Sequence, residues 1–116
     1  MKNIEKGKEG EAMAPKYLQK KGYKILLRNY RTKYGEIDIV AKRKKLIVFV
    51  EVKLRKGDSF GKGVDAINEY KIKKIRKTAE YYLFNNKIED KDVRFDVISI
   101  DFKTNEYKIE HIEGAF

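Results

Sequence analysis

Cysteine and tryptophan are absent from this 116-residue chain, and proline and histidine occur once each. Without cysteine there is no disulfide framework and no thiolate metal site. The single histidine, His111, leaves little room for histidine-based catalysis and none for a multi-histidine zinc site. Neither Ser59 nor Ser99 shares a triad context with it, which excludes serine nucleophile chemistry. No apolar run approaches the ~20 residues that span a bilayer. The opening stretch MKNIEKGKEGEAMA lacks the apolar segment of a secretory leader. These absences lead to the expectation of a cytoplasmic protein with no membrane partner. No internal repeat, low-complexity segment or long linker breaks the chain, so residues 1–116 read as one domain with one core.

What the chain has is charge. Charged residues make up 40% of it, against 41% hydrophobic, and the formal net charge is +10. That balance points to a polyanionic partner, nucleic acid before membrane. The charge is unevenly spread. Lys16 to Lys56 carries 14 Lys/Arg against three acids, whereas Thr78 to Phe116 carries 5 against 9. The three acids of the basic stretch are Glu36, Asp38 and Glu51.

Residues from about Lys8 to Lys21 read as a helix, with Ala14, Tyr17 and Leu18 at helical spacing and Gly22 as the stop. Pro15 removes a backbone bond, which predicts a kink or a late start. Glu11 shares a face with Ala14 and Leu18 if the helix includes it. Strands are expected at Tyr23–Arg31, Ile37–Ala41 and Leu46–Leu54, the last rich in β-branched residues and central. Asp65 is expected to cap a helix running to Leu83, with Ile67, Ile72, Ile75, Ala79 and Leu83 along one stripe. Val93–Phe102 is a fourth strand, KTNE (Lys103–Glu106) a turn and Tyr107–Ile112 a fifth strand. The resulting order, α-β-β-β-α-β-β, predicts an α/β fold with a mixed sheet flanked by helices.

Charged groups inside apolar strands are costly unless they have partners or work to do. Ile47, Phe49, Glu51 and Lys53 share one face of the third strand, and Glu36, Asp38 and Val40 share a face of the second. A turn centred on Arg43 and Lys44 would set Asp38 opposite Phe49 and Glu36 opposite Glu51. Glu36, Asp38, Glu51 and Lys53 would then converge on one patch. Carboxylate pairs of this kind hold Mg²⁺ or Mn²⁺, here with Asp38 and Glu51 as ligands and the backbone carbonyl of Val52 beside them. A lysine one strand step beyond Glu51 can orient a water or stabilise charge building on a phosphate. The alternative is a set of cross-strand salt bridges, Glu51 with Lys53 or Lys24, on a half-exposed sheet.

The pattern of an acid on one strand and E-x-K on the next resembles the PD-(D/E)xK nuclease signature. Over nearly its full length the chain also resembles the YraN-like family of predicted endonuclease-like proteins, which look related to archaeal Holliday junction resolvases. The matching segments are GKEGEAMA (Gly7–Ala14), KGYKILLRNYRTKYGEIDIVA (Lys21–Ala41), VFVEVKLR (Val48–Arg55), FGKGVDAINEYK (Phe60–Lys71), RFDVISID (Arg94–Asp101) and GAF (Gly114–Phe116). The resemblance implies a restriction endonuclease-like α-β-β-β-α-β core. It implies Glu11, Asp38 and Glu51 as metal-site acids, Lys53 as catalytic lysine, and Glu36 and Arg55 beside them or on phosphate. Pro15 departs from the family's unbroken first helix. The activity implied is Mg²⁺- or Mn²⁺-dependent hydrolysis of DNA, including branched or junction DNA. Symmetric cutting by resolvases further implies a homodimer.

Other basic features fit a nucleic-acid partner, DNA before RNA. KIKKIRK (Lys71–Lys77) holds five bases and no acid, so Lys71 and Lys74 are candidates to track phosphates. Arg31 and the hairpin segment Lys42, Arg43, Lys44 and Lys45 are candidates to grip a backbone. In each case a solvated basic face is the alternative. Tyr23, Tyr30 and Tyr34 could stack on unpaired bases or simply pack. GDSFGKG lacks the spacing of a phosphate-binding P-loop. Three readings stand at this stage: a metal-dependent DNA endonuclease, a non-catalytic nucleic-acid-binding protein on the same fold, and a basic module for an acidic protein.

Overall fold

The computed structural model describes residues 3–55, 68–102 and 106–116, with side chains from Gly10 onward. The elements are α1 (Asn3–Lys20), β1 (Lys24–Arg31), β2 (Glu36–Arg43), β3 (Leu46–Arg55), α2 (Glu69–Asn85), β4 (Asp92–Asp101) and β5 (Lys108–Ile112). The five strands form one sheet in the order β1-β2-β3-β4-β5. All neighbours pair antiparallel except β3 and β4, which are parallel and joined through α2. This is the mixed α/β sheet with helical crossover that the sequence predicts.

The helices cover opposite faces of the sheet. Ala14 and Leu18 of α1 pack on Ile39, Ala41, Val48, Val50, Ile98 and Ile100. Ile75, Ala79 and Tyr82 of α2 pack on Val40, Ile47 and Phe49. The alternation expected for β3 therefore holds, with even-numbered residues under α1 and Ile47 and Phe49 under α2.

Helix α1 ends as expected at Gly22, whose φ of 92° suits a residue without a Cβ. The Tyr23 N–H reaches the Leu18 carbonyl and the Gly22 N–H reaches Gln19, the two bonds of a Schellman cap. The expected late start does not occur. The helix begins at Asn3 and runs through buried Pro15. Its first turns lie upstream of the proline, so the only intrahelical bond lost is the one Pro15 would have donated to the Glu11 carbonyl.

The N-cap of α2 is Asn68, whose side chain accepts the Lys71 N–H at 2.9 Å. That replaces the expected Asp65. An asparagine three residues before a backbone N–H makes the same capping bond as an aspartate. Asp65, Ile67 and the glycine-rich segment before them lie outside the described residues, as does most of the KTNE turn.

A polar network crosses the α1 face at its β4–β5 edge. Fully buried Asp96 accepts from Arg94 at 2.8 Å through both of its oxygens, and from the Gly114 N–H at 3.0 Å. His111 Nε2 lies 2.7 Å from the same carboxylate. Because the carboxylate only accepts, Nε2 carries a proton, and Nδ1 lies 3.2 Å from the Tyr17 hydroxyl. Burial raises the Asp96 pKa, but the bonds from His111, Arg94 and Gly114 outweigh it and hold the carboxyl at about 2. The network ties α1, β4, β5 and the C-terminal turn together, with Arg94 reaching on to the Tyr23 hydroxyl at 2.7 Å.

Candidate metal and phosphate site

The hairpin between β2 and β3 turns at Lys44 and Lys45, so Val40 faces Phe49 and Ile39 faces Val50. The expected register set Asp38 opposite Phe49, two residues away from the observed one. The two-residue turn sits one position further on than expected, with its first residue, Lys44, at a left-handed φ of 57°. A shift of two preserves the faces. Asp38 and Glu51 line the same cavity.

The backbone pairing of β2 with β3 stops at Ile39–Val50. One step beyond, the Asp38 side chain accepts the Val52 N–H at 2.7 Å, in place of a ladder carbonyl. Ile37 packs under α2 whereas Ile39 packs under α1, so β2 also loses its alternation at Asp38. A strand residue presents its N–H and C=O to the same edge. The Val52 carbonyl is thus directed to the side where the ladder has opened and Asp38 sits.

Asp38 borders two cavities. The larger, about 420 Å³, is lined by Gly35, Glu36, Asp38, Glu51, Asn68, Tyr70, Lys71, Lys74 and Ile75. The smaller, about 60 Å³, lies on the α1 side and is lined by Glu11, Arg28, Asp38, Ile39, Val52 and Leu54. Glu11 is brought close by Gly10, where an added Cβ would lie 2.7 Å from Leu54 Cδ2. Gly10 thus sits where α1 comes close to the Leu54 side chain of β3.

Glu51 is shared by two lysines. Its Oε1 lies 3.2 Å from Lys71 Nζ and 3.6 Å from Lys53 Nζ, and its side chain is 11% exposed. Burial, and then the like charge of Glu51, push Asp38 up to about 6 despite the Val52 bond. Burial and the adjoining Lys71 lower the Lys53 pKa against the pull of Glu51. Burial acts on Lys71 as well, but the Glu51 carboxylate 3.2 Å away, and the charge of Asp38 behind it, outweigh it and raise its pKa.

Other expected residues are placed differently. Glu36 lines the larger cavity but pairs with Arg31 at 3.3 Å on an exposed surface. Arg55 ends β3, with its Nη2 buried and unbonded among the described residues. Lys42 to Lys45 lie towards the far end of the hairpin, from about 13 Å (Lys42) to about 20 Å (Lys44) from Asp38 by strand rise. There Arg43, Lys44 and Lys45 line a separate concavity with Leu46 and Asp92. Arg43 is committed to the fold, stacked 4.3 Å over Tyr23 and donating to the Lys21 carbonyl. The carboxylate pocket therefore takes Lys71 and Lys74 but not the hairpin tip.

Sequence reasoning missed Asn68 and Tyr70 in the larger cavity and Arg28 in the smaller. No local pattern marks them, because α2 and β1 reach these cavities only through the sheet. It also missed Asp96, although an acid inside the apolar run RFDVISID is the signal that drew attention to Asp38.

Among the described residues no three His, Cys, Asp or Glu side chains form a ready-made metal cage. The donor set fits a cation that keeps much of its water. Mg²⁺ is commonly held by only one or two carboxylates. Asp38 and Glu51 are hard oxygen donors whose mutual repulsion a divalent ion would relieve. No helix among the described residues is long and apolar enough to cross a membrane.

Residues 10–100 match the model of Uncharacterised protein family UPF0102. A UPF0102 protein of Thermodesulfovibrio yellowstonii is 53% identical over all of this chain and 99% of its own length. One from Sulfurihydrogenibium sp. is 48% identical over all of the chain and 97% of its own length. One from Clostridioides difficile is 47% identical over the whole of both chains.

Proposed function

The chain belongs to the UPF0102 family, and we propose that it is a metal-dependent endonuclease hydrolysing phosphodiester bonds of DNA. The observation that carries this reading is the placement of Asp38 and Glu51. Both line one cavity, beyond the point where the β2–β3 ladder ends, together with Lys71 and Lys74. Such a pocket suits a phosphate together with a cation, because two carboxylates alone would repel a polyanion.

Asp38, Glu51 and the Val52 carbonyl are the groups that would hold Mg²⁺ or Mn²⁺, with Glu11 available from the smaller cavity. When bound, such an ion supplies Lewis acidity at a phosphate oxygen and lowers the pKa of a coordinated water. The chain's own residues supply the rest. Lys53, held against Glu51, stands where it can orient the attacking water and offset charge building on phosphorus. Lys71 and Lys74 position the phosphate. Glu36 lines the same cavity, Arg55 at the end of β3 would contact phosphate, and dimerisation would pair two such pockets for symmetric cutting.

The second reading is a nucleic-acid-binding protein with no chemistry. One observation favours it: Glu51 already has two lysine partners, a self-sufficient structural ion pair. Incubating the protein with end-labelled duplex, flapped, forked and four-way junction DNA, with Mg²⁺ or Mn²⁺, separates the two. The nuclease reading expects cutting by wild type and none by Asp38→Asn. Binding without cutting anywhere on that panel leaves the second reading.

A further inference from the structure

Two tyrosines of α2 stand out by exposure. Tyr70 is 67% exposed and Tyr81 40%, whereas Tyr82, beside Tyr81 in sequence, is 5% exposed and part of the core. Tyr70, Lys74, Lys77 and Tyr81 are spaced four, three and four apart, so they form one stripe along the helix. The stripe is about 16 Å long by helical rise. It begins in the carboxylate pocket, which Tyr70 and Lys74 line, and runs away from it.

The β1–β2 connection widens the far end. Gly35 fits against Lys74 and Thr78, with space for a Cβ only 3.1 Å from Thr78 Oγ1. That contact sets Tyr34 on the helix surface, edge-on to Tyr81 with ring centroids 5.7 Å apart. Lys33 and Lys77 place their ammonium groups 5.3 and 5.1 Å from the Tyr34 ring. Lys74 lies 4.7 Å over the Tyr70 ring. The surface thus alternates aromatic faces and cations. Over α2 as a whole five bases stand against Glu69 and Glu80.

Bases in a duplex hide their faces in the stack and offer an aromatic side chain nothing to cover. Unpaired bases expose those faces, and surfaces mixing aromatic rings with cations hold them without regard to sequence. We propose that this stripe is a stacking track for an unpaired DNA strand leaving the carboxylate pocket. The substrate class would be DNA with a single-stranded segment beside its duplex. Tyr70 takes the base nearest the pocket, Tyr34 and Tyr81 a base further out, and Lys74 and Lys77 the phosphates between. The position of the track relative to a cut rests on the nuclease reading above; the binding it predicts does not.

The test measures binding without divalent metal, so it is independent of cutting. Fluorescence anisotropy compares a blunt duplex with the same duplex carrying a single-stranded tail, and with an equally charged abasic tail. Wild type is expected to bind the tailed duplex about tenfold more tightly than the blunt one. The abasic tail should lose most of that gain. The Tyr70→Ala/Tyr81→Ala variant should abolish it, and Tyr70→Trp/Tyr81→Trp should keep it. The ratio of tailed to blunt affinity is the readout, and thermal melting checks that the variants fold. No gain from the tail in wild type would overturn the proposal, as would a gain that survives the abasic tail or the alanine variant. A tail preference in a protein that cuts nothing would remove the nuclease reading and leave the track standing. Cutting without a tail preference would do the reverse.

Discussion

The Asp38 carboxylate takes the Val52 N–H at 2.7 Å at the point where the backbone pairing of β2 and β3 ends. One side chain thus closes the ladder and opens the pocket. It is held in place by a backbone group that cannot move without moving β3.

That position has a cost that pH reveals. Burial, and then Glu51, raise the Asp38 pKa from 3.8 to about 6. The folded protein therefore keeps this proton more tightly than the unfolded chain. Both states are protonated below about pH 4, and no penalty applies there. Stability falls as pH rises from there through 6, where folded Asp38 ionises. Asp38→Asn keeps an oxygen for the Val52 N–H and removes the charge. In metal-free urea denaturation at pH 7.5 it should be more stable than wild type by of order 2 kcal/mol. The difference should vanish near pH 4. A variant less stable than wild type at pH 7.5 would mean that the site does not strain the fold.

Asp96 behaves in the opposite sense. Its pKa is held at about 2, below the unfolded value, so its contribution is present above the unfolded pKa and lost as pH falls towards 2. Asp96→Asn should cost about 3 kcal/mol at neutral pH, because Arg94 loses its buried counter-charge and one of the two acceptor oxygens becomes an NH2 donor. The cost should shrink in acid as the unfolded wild-type chain takes up the proton that folded Asp96 still refuses. Denaturation of both proteins from pH 7 down to pH 3 checks this.

These two aspartates show what the sequence discloses and what it hides. Both are acids inside apolar runs, and that signal is local. Strand parity predicts Asp38, Glu51 and Lys53 on one side; a register error of two leaves that parity intact, but β2 loses its alternation at Asp38, which borders both cavities. The turn position did not follow from KRKK, since any two adjacent residues of that run could form it. The cap moved from Asp65 to Asn68 for a similar reason: several nearby side chains can make the same bond. The partners of Asp96 are further out of reach. His111 and Arg94 meet it only because β5 folds back on β4, and Tyr17 arrives from the other end of the chain. The second lysine on Glu51, Lys71, likewise comes from α2, so the sequence offered it only as a phosphate contact.

Lys71 should act as a counterweight in the site. With Lys71→Met, Glu51 keeps only Lys53, and affinity for Mn²⁺ without DNA should rise roughly threefold to tenfold. Affinity for DNA should fall, with the salt slope reduced by about 1. Calorimetric titration with Mn²⁺ and anisotropy at several salt concentrations measure the two effects. Unchanged metal affinity would show that Lys71 does not restrain Glu51.

Gly35 joins the pocket to α2. Its φ of 159° and the 3.1 Å approach of Thr78 Oγ1 leave poor room for a side chain. Gly35→Ala should lower stability by about 1 to 2 kcal/mol. It should also shift the Tyr34 and Lys74 resonances in NMR spectra while sparing those of Tyr17 and His111. A stability equal to wild type would mean that the turn adapts freely.

The account depends most on Asp38 and Glu51 forming a cation centre. Soaking crystals of the protein in Mn²⁺ and collecting anomalous diffraction tests it directly. The expected result is one strong peak bridging the two carboxylates, about 2 Å from an oxygen of each, with Lys53 Nζ nearby and no such peak in Asp38→Asn crystals. A wild-type crystal with no manganese between these residues, or with the ion bound only elsewhere, would contradict it.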